Sequence, residues 1–120
     1  RNVSGIHDSD IQRIKDFLQG SVYCWCKNRK KEWFSLRDLM GGDNFYWDKT
    51  PLFVLWDKHN KAGKKRDDAV EAAGKDCGWI LKRVIKEDKR KFESKKEAQI
   101  RHYRWIVQNR SIPAQVDGKS

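Results

Sequence analysis

Four side chains have the chemistry to hold a zinc ion: Cys24, Cys26, Cys77 and His102. Structural zinc sites draw their ligands in close pairs from tight turns, whereas a C-x-C pair inside a helical pattern points its thiols in different directions. The cysteines therefore read as buried thiols, and neither a metal nor any other cofactor is expected. Glu87-Asp88-Lys89 and Glu93-Ser94-Lys95 each match the E-x-K half of a metal-dependent nuclease pattern, in which carboxylates hold Mg²⁺ and the Lys assists an attacking water. In a chain that is 37% charged such matches arise by chance. An acid such as Asp68 would also have to converge with a strand-borne E-x-K, and Glu87 lies in a helical pattern. His59, in "WDKHN", is tied by motif to no nucleophile or second ligand and reads as an exposed helical histidine. Phosphate-cradling glycine loops, serine-nucleophile elbows and H-E-x-x-H are absent. No catalytic residue is assigned, and a metal-dependent nuclease is the enzymatic alternative.

The pattern with more to say is "GKDCGWILKRVIKEDKR", Gly74 to Arg90, which is apolar and basic at once. On a helix, Cys77, Ile80, Leu81 and Val84 fall within about 100° of arc, with Ile85 at the margin, as a core stripe does. The opposite side carries Lys75, Trp79, Lys82, Arg83 and Lys86. Asp76, Glu87 and Asp88 flank it, either limiting non-specific attraction or capping and solubilising the helix. Lys and Arg belong on any solvated helix face, so context has to decide what this one touches.

Charge supplies part of that context. The net charge is +10, and it is uneven: residues 1–60 hold 10 Lys and Arg against 8 Asp and Glu, residues 61–120 hold 17 against 9. A basic surface attracts polyanions, nucleic acid or an anionic membrane. Further basic runs, Lys27, Arg29, Lys30 and Lys31, then Lys58 to Arg66, read as solvated turns unless the fold brings them to the same side. No apolar run approaches a membrane span and no secretion signal opens the chain, so no membrane partner is expected. An odd count of cysteines argues against a disulfide framework and for a reduced, intracellular setting, in cytoplasm, nucleoid or nucleus. The missing initiator Met fits a piece of a longer or processed protein.

At 120 residues, with six Trp, five Phe and three Tyr, one folded domain is expected over 10–107, between a flexible segment at 1–9 and a flexible tail at 108–120. Ser9 and Gln12 form a capping-box pattern opening a helix over 10–28, with Ile11, Ile14, Leu18, Val22 and Trp25 as its apolar stripe and Gly20 on the solvent side. Trp33 and Phe34 read as a short strand, and Ser35 caps a short helix ending at Gly41 and Gly42. "GDNFYWDK" is a loop, and Thr50-Pro51 opens a helix over 51–62 that Gly63 stops. Residues 67–89 read as helix, tight turn at Gly74 and second helix capped by Asp76, or as one long helix if Gly74 is tolerated. Beyond Arg90 the spacing changes to period two, which predicts strands over 90–95 and 99–107 joined across a "KKEA" tip. The fold class is α+β, mainly helical with a C-terminal β-hairpin.

That order of elements resembles the winged helix-turn-helix superfamily, with an extra helix at 51–62. "AVEAAGKDCGWILKRV" carries the small residues and glycine of a helix-turn-helix, although its second helix does not place apolar residues at every expected position. The resemblance implies a DNA-binding domain of a transcription regulator or DNA-processing enzyme. Lys75, Trp79, Lys82, Arg83 and Lys86 would face the major groove of double-stranded DNA, Arg83 as base reader. Lys91, Lys95, Lys96, Arg101 and Arg104 would lie on phosphate or in the minor groove. The alternatives are a protein–protein module of the same fold, anchored by Trp47 and Trp79, and an RNA or single-strand binder using those aromatics. Parent-chain domains are further candidate partners.

Overall fold

The computed structural model describes residues 3–29, 32–41 and 47–106. Lys30, Lys31, the "GDNFY" part of the aromatic loop, Val107 and the tail at 108–120 lie outside the described residues. The described chain is α+β, mainly helical, with one antiparallel hairpin at its C-terminal end. Its first helix, α1, spans Asp8–Arg29 and buries Ile14, Leu18, Val22 and Cys26, one residue per turn. It starts earlier than the Ser9–Gln12 pattern suggests, because the His7 carbonyl already accepts from Asp10 and Ile11. Gln12 turns to Asp16 at 2.9 Å instead of closing a box. The lead-in expected to be flexible is anchored: Val3 and Ile6 pack against the core, and Lys58 donates to the Ser4 carbonyl.

Phe34 forms a single antiparallel bridge, and Ser35 then caps α2, Leu36–Met40, in a capping box with Asp38. Gly41 closes that helix at φ 89°, a conformation open to glycine. The next helix, α3, spans Phe53–Lys61 and begins later than Pro51. Thr50 Oγ1 accepts from the Leu52 amide at 3.1 Å and donates to the Trp47 carbonyl at 2.8 Å, holding residues 50–52 in a turn. Gly63, at φ 94°, ends the run.

Residues Arg66–Glu87 form one unbroken helix, α4, so the tight turn expected at Gly74 is not formed. Ala69, Ala73, Cys77, Ile80, Leu81, Val84 and Ile85 keep helical spacing straight through both Gly74 and Gly78 and are all buried. Burying the larger of them contributes about 1.5–3 kcal/mol each, against about 1 kcal/mol lost per interior glycine, so packing prevails over local propensity. Two consecutive helices with a short glycine-containing connection do occur one element earlier, where residues 62–65, including Gly63, join α3 to α4.

The hairpin pairs β1, Phe92–Glu97, with β2, Ile100–Trp105, in register Phe92 to Trp105 and Glu97 to Ile100. Its tip is Ala98-Gln99, not "KKEA", and both residues have positive φ, 50° and 67°, the type I′ geometry that matches strand twist. On the other edge of β2, Tyr103 exchanges hydrogen bonds of 2.8 and 2.7 Å with Phe34, placing β2 between β1 and the short bridge. The rings of Phe34, Phe92, Tyr103 and Trp25 close one end of the core. Since α4 is continuous, Gly74→Ala should raise stability to urea by about 1 kcal/mol. A comparable loss would mean that a turn is needed there.

Candidate nucleic-acid interface

Lys75, Trp79, Lys82 and Lys86 follow one another at intervals of four, three and four residues, the spacing of a single stripe along α4. The three lysines are exposed and Trp79 is half-buried. The Lys82 ammonium lies 5.2 Å from the centre of the Trp79 ring, so indole and cation form one surface unit. Lys75 reaches back to Glu71 at 3.6 Å; from Lys75 to Lys86 the stripe contains no carboxylate. Over eleven residues it runs about 16 Å.

The acids interspersed with these cations in sequence point elsewhere. Asp76 Oδ2 lies 2.9 Å from Lys58 Nζ and 2.8 Å from His59 Nε2, binding α4 to α3. Asp76 is thus not a cap, and His59 is half-buried at that contact. Glu87 takes Lys15 of α1 at 2.6 Å, and this hydrogen bond, with Arg83 and Lys86 near by, holds its carboxyl below the ordinary value. Asp88, its side chain only 3% exposed, accepts from Gln19 at 2.7 Å and from the Arg90 amide at 2.8 Å, with the Arg90 guanidinium 3.2 Å away. Arg90 in turn stacks on Tyr23 and Trp105. Neither reading open for these acids, limiting non-specific attraction or capping and solubilising the helix, includes what the structure shows: each is tied to a side chain from another part of the chain.

Arg83 is not on the stripe. It is half-buried and turned toward α1, where it lines a small cavity with Asp8, Gln12 and Lys15. A guanidinium held there, with Glu87 beside it, is poorly placed to read base edges.

The hairpin cations divide by strand register. Lys96 and Arg101 stand directly opposite each other at the tip, both exposed. Lys95 and Arg104 lie on the opposite face of the hairpin over Trp33, 4.3 and 4.7 Å from its ring centre. Arg104 is bound to Glu93 at 2.6 Å and Lys95 to Glu97 at 3.4 Å, so these two are part of the hairpin's own bonding. Lys91 is exposed at the base. Of the earlier basic runs, Lys27, Arg29, Lys64, Lys65 and Arg66 are exposed, and Arg66 opens α4.

Trp47 is half-buried against the core and walls a groove between α2, α4 and the hairpin tip. Cys26 and Cys77 are buried, which pushes both thiols up, while Cys24 is exposed. Among the described residues no group of His, Cys, Asp or Glu could hold a metal ion, and no helix is long and apolar enough to cross a membrane. Comparison with protein-family models, with curated proteins and with solved structures finds no match for the chain.

Sequence reasoning missed the Asp88–Arg90 node. Its only signal was the break in helical spacing after Asp88, where a side chain is free to fold back on the helix end. Replacing Asp88 by Ala strands the Arg90 guanidinium and should lower stability by about 3 kcal/mol in urea unfolding. A solvated cap would change it by less than about 0.5 kcal/mol.

Proposed function

We propose that this is a winged-helix-like domain that binds double-stranded DNA, with α4 presented to the major groove and the hairpin tip on the backbone. The observation that carries the reading is the stripe Lys75, Trp79, Lys82, Lys86 on the side of α4 opposite the core: its three lysines are exposed, no carboxylate stands between Lys75 and Lys86, and Glu71 meets it only at the Lys75 end. Its length of about 16 Å exceeds the roughly 12 Å width of a major groove, so it can cross from one phosphate wall to the other. The order of helix, turn with glycine, long helix and hairpin supports the same arrangement.

Lys96 opposite Arg101 is a second support. Like charges directly across a pair of strands destabilise a hairpin by a few tenths of a kcal/mol in the free domain, and an anionic partner relieves that repulsion. The lysines of the stripe are point charges and supply phosphate contacts. With Arg83 turned toward α1, the stripe offers no bidentate reader of guanine or adenine, so the proposed binding has little sequence preference.

Counterion release makes this measurable. Contacts from Lys75, Lys82, Lys86, Lys96 and Arg101 give a slope of about −4.5 for log K against log salt on a mixed-sequence duplex. Exchanging the three α4 lysines for Gln should flatten it by about 2.7 and weaken binding at every sequence tested alike. An unaltered isotherm for that triple variant contradicts the proposal. Lys96→Glu separates function from folding by sign: it creates an ion pair with Arg101 that stabilises the hairpin by a few tenths of a kcal/mol, yet it should weaken duplex binding severalfold. Stability and affinity moving together would contradict it.

A further inference from the structure

The groove walled by Trp47 has a volume of about 860 Å³ and lies between α2, α4 from Arg66 to Leu81, and the hairpin tip. Leu36, Met40, Val70 and Leu81 make it apolar, and Gly74 and Gly78 lie along it one helical turn apart. A Cβ on either glycine would meet nothing within 4 Å, so no part of the described chain approaches the helix backbone there. Three arginines from three different elements are among its lining residues: Arg37 of α2, Arg66 of α4 and Arg101 of β2. Among the described residues none of the three is ion-paired. Asp67 and Glu71 also line the groove, and Glu71 is taken by Lys75.

We infer that this groove receives a segment of a partner protein, apolar along one side and flanked by carboxylates. A phosphate backbone offers nothing to an apolar surface, whereas a peptide with hydrophobic anchors buries it. Arginine forks match carboxylates in bidentate geometry, and the groove's lining supplies three of them for the acids of such a segment. The two glycines let its backbone come close to α4. The groove shares Lys75 and Arg101 with the proposed duplex contacts, but Val70, Gly74, Gly78 and Leu81, which would receive the apolar side of the segment, lie about 100° around the helix from the lysine stripe, so the inference does not rest on DNA binding.

The probe is a panel of 14-residue synthetic peptides that alternate helical faces of Leu or Phe with Glu or Asp, beside counterparts in which each acid is its amide. Titrated into ¹⁵N-labelled domain, the acidic peptides should shift the Gly74 and Gly78 amide signals saturably. The amide counterparts should bind about tenfold more weakly, the loss of one or two charge-assisted bonds. Gly78→Leu fills the groove while favouring the helix, so it should abolish peptide binding with stability kept and duplex affinity unchanged. Glycine signals unmoved by every acidic peptide, or peptide affinity intact in Gly78→Leu, overturn the inference. So does a 12-nucleotide single strand that shifts those signals when the peptides do not, for the groove is then a nucleic-acid surface.

Discussion

Burial of one side of α4 is the constraint on which the rest of the molecule depends. Ala69, Ala73, Cys77, Ile80, Leu81, Val84 and Ile85 lie in a single line of contact with the other elements. Rotating the helix to hide any other side would expose several large aliphatic groups, each at a cost of about 1.5–3 kcal/mol. With that side fixed, the direction of every other residue on the helix follows. Lys75, Lys82 and Lys86 face out, Asp76 faces α3, Glu87 faces α1, and Gly74 and Gly78 line the groove beneath the hairpin tip.

Charge sorting follows from the same orientation. From Asp76 to Asp88 the carboxylates of α4 and its C-cap each meet a cation supplied by another part of the chain: Lys58 and His59, Lys15, or Arg90. The contacts of Asp76 and Asp88 are partly or largely buried, where removing one partner matters more than at a freely solvated surface, whereas Glu87 stays exposed. These contacts hold the negative charge internally, and of the stripe lysines only Lys75, at its N-terminal end, meets a carboxylate, Glu71. The same economy holds on the hairpin, where Glu93 and Glu97 hold Arg104 and Lys95 on one face while Lys96 and Arg101 oppose each other on the other. A surface whose positive charge is left uncompensated by such sorting attracts anions.

Much of the fold was legible because it is local. The spacing of Ile14, Leu18 and Val22, the capping of α2 by Ser35, the stop at Gly63 and the change to period two after Arg90 all reappear in three dimensions. What misled was punctuation. Gly74 and Asp76 look like a stop and a start, and only the packing of residues on both sides of Gly74 against the same neighbours shows that the helix continues. The hairpin tip was misjudged because Ala98 and Gln99 carry no turn signature, and their conformation is imposed by the strand register. For the surface, helical periodicity was enough to separate Lys75, Trp79, Lys82 and Lys86 from the core. It was not enough to show that Arg83 leans toward α1, nor that Lys95 and Arg104 are held over Trp33, since those contacts join segments far apart in sequence.

The central claim is that the outward stripe of α4 is the face that meets DNA. Reductive methylation of lysines, read by mass spectrometry with and without a saturating duplex, tests it residue by residue. Protection concentrated at Lys75, Lys82 and Lys86, with Lys27 and Lys61 modified equally in both states, is the result this account predicts. Protection spread evenly over all exposed lysines, or confined to Lys27 or Lys61, would contradict it.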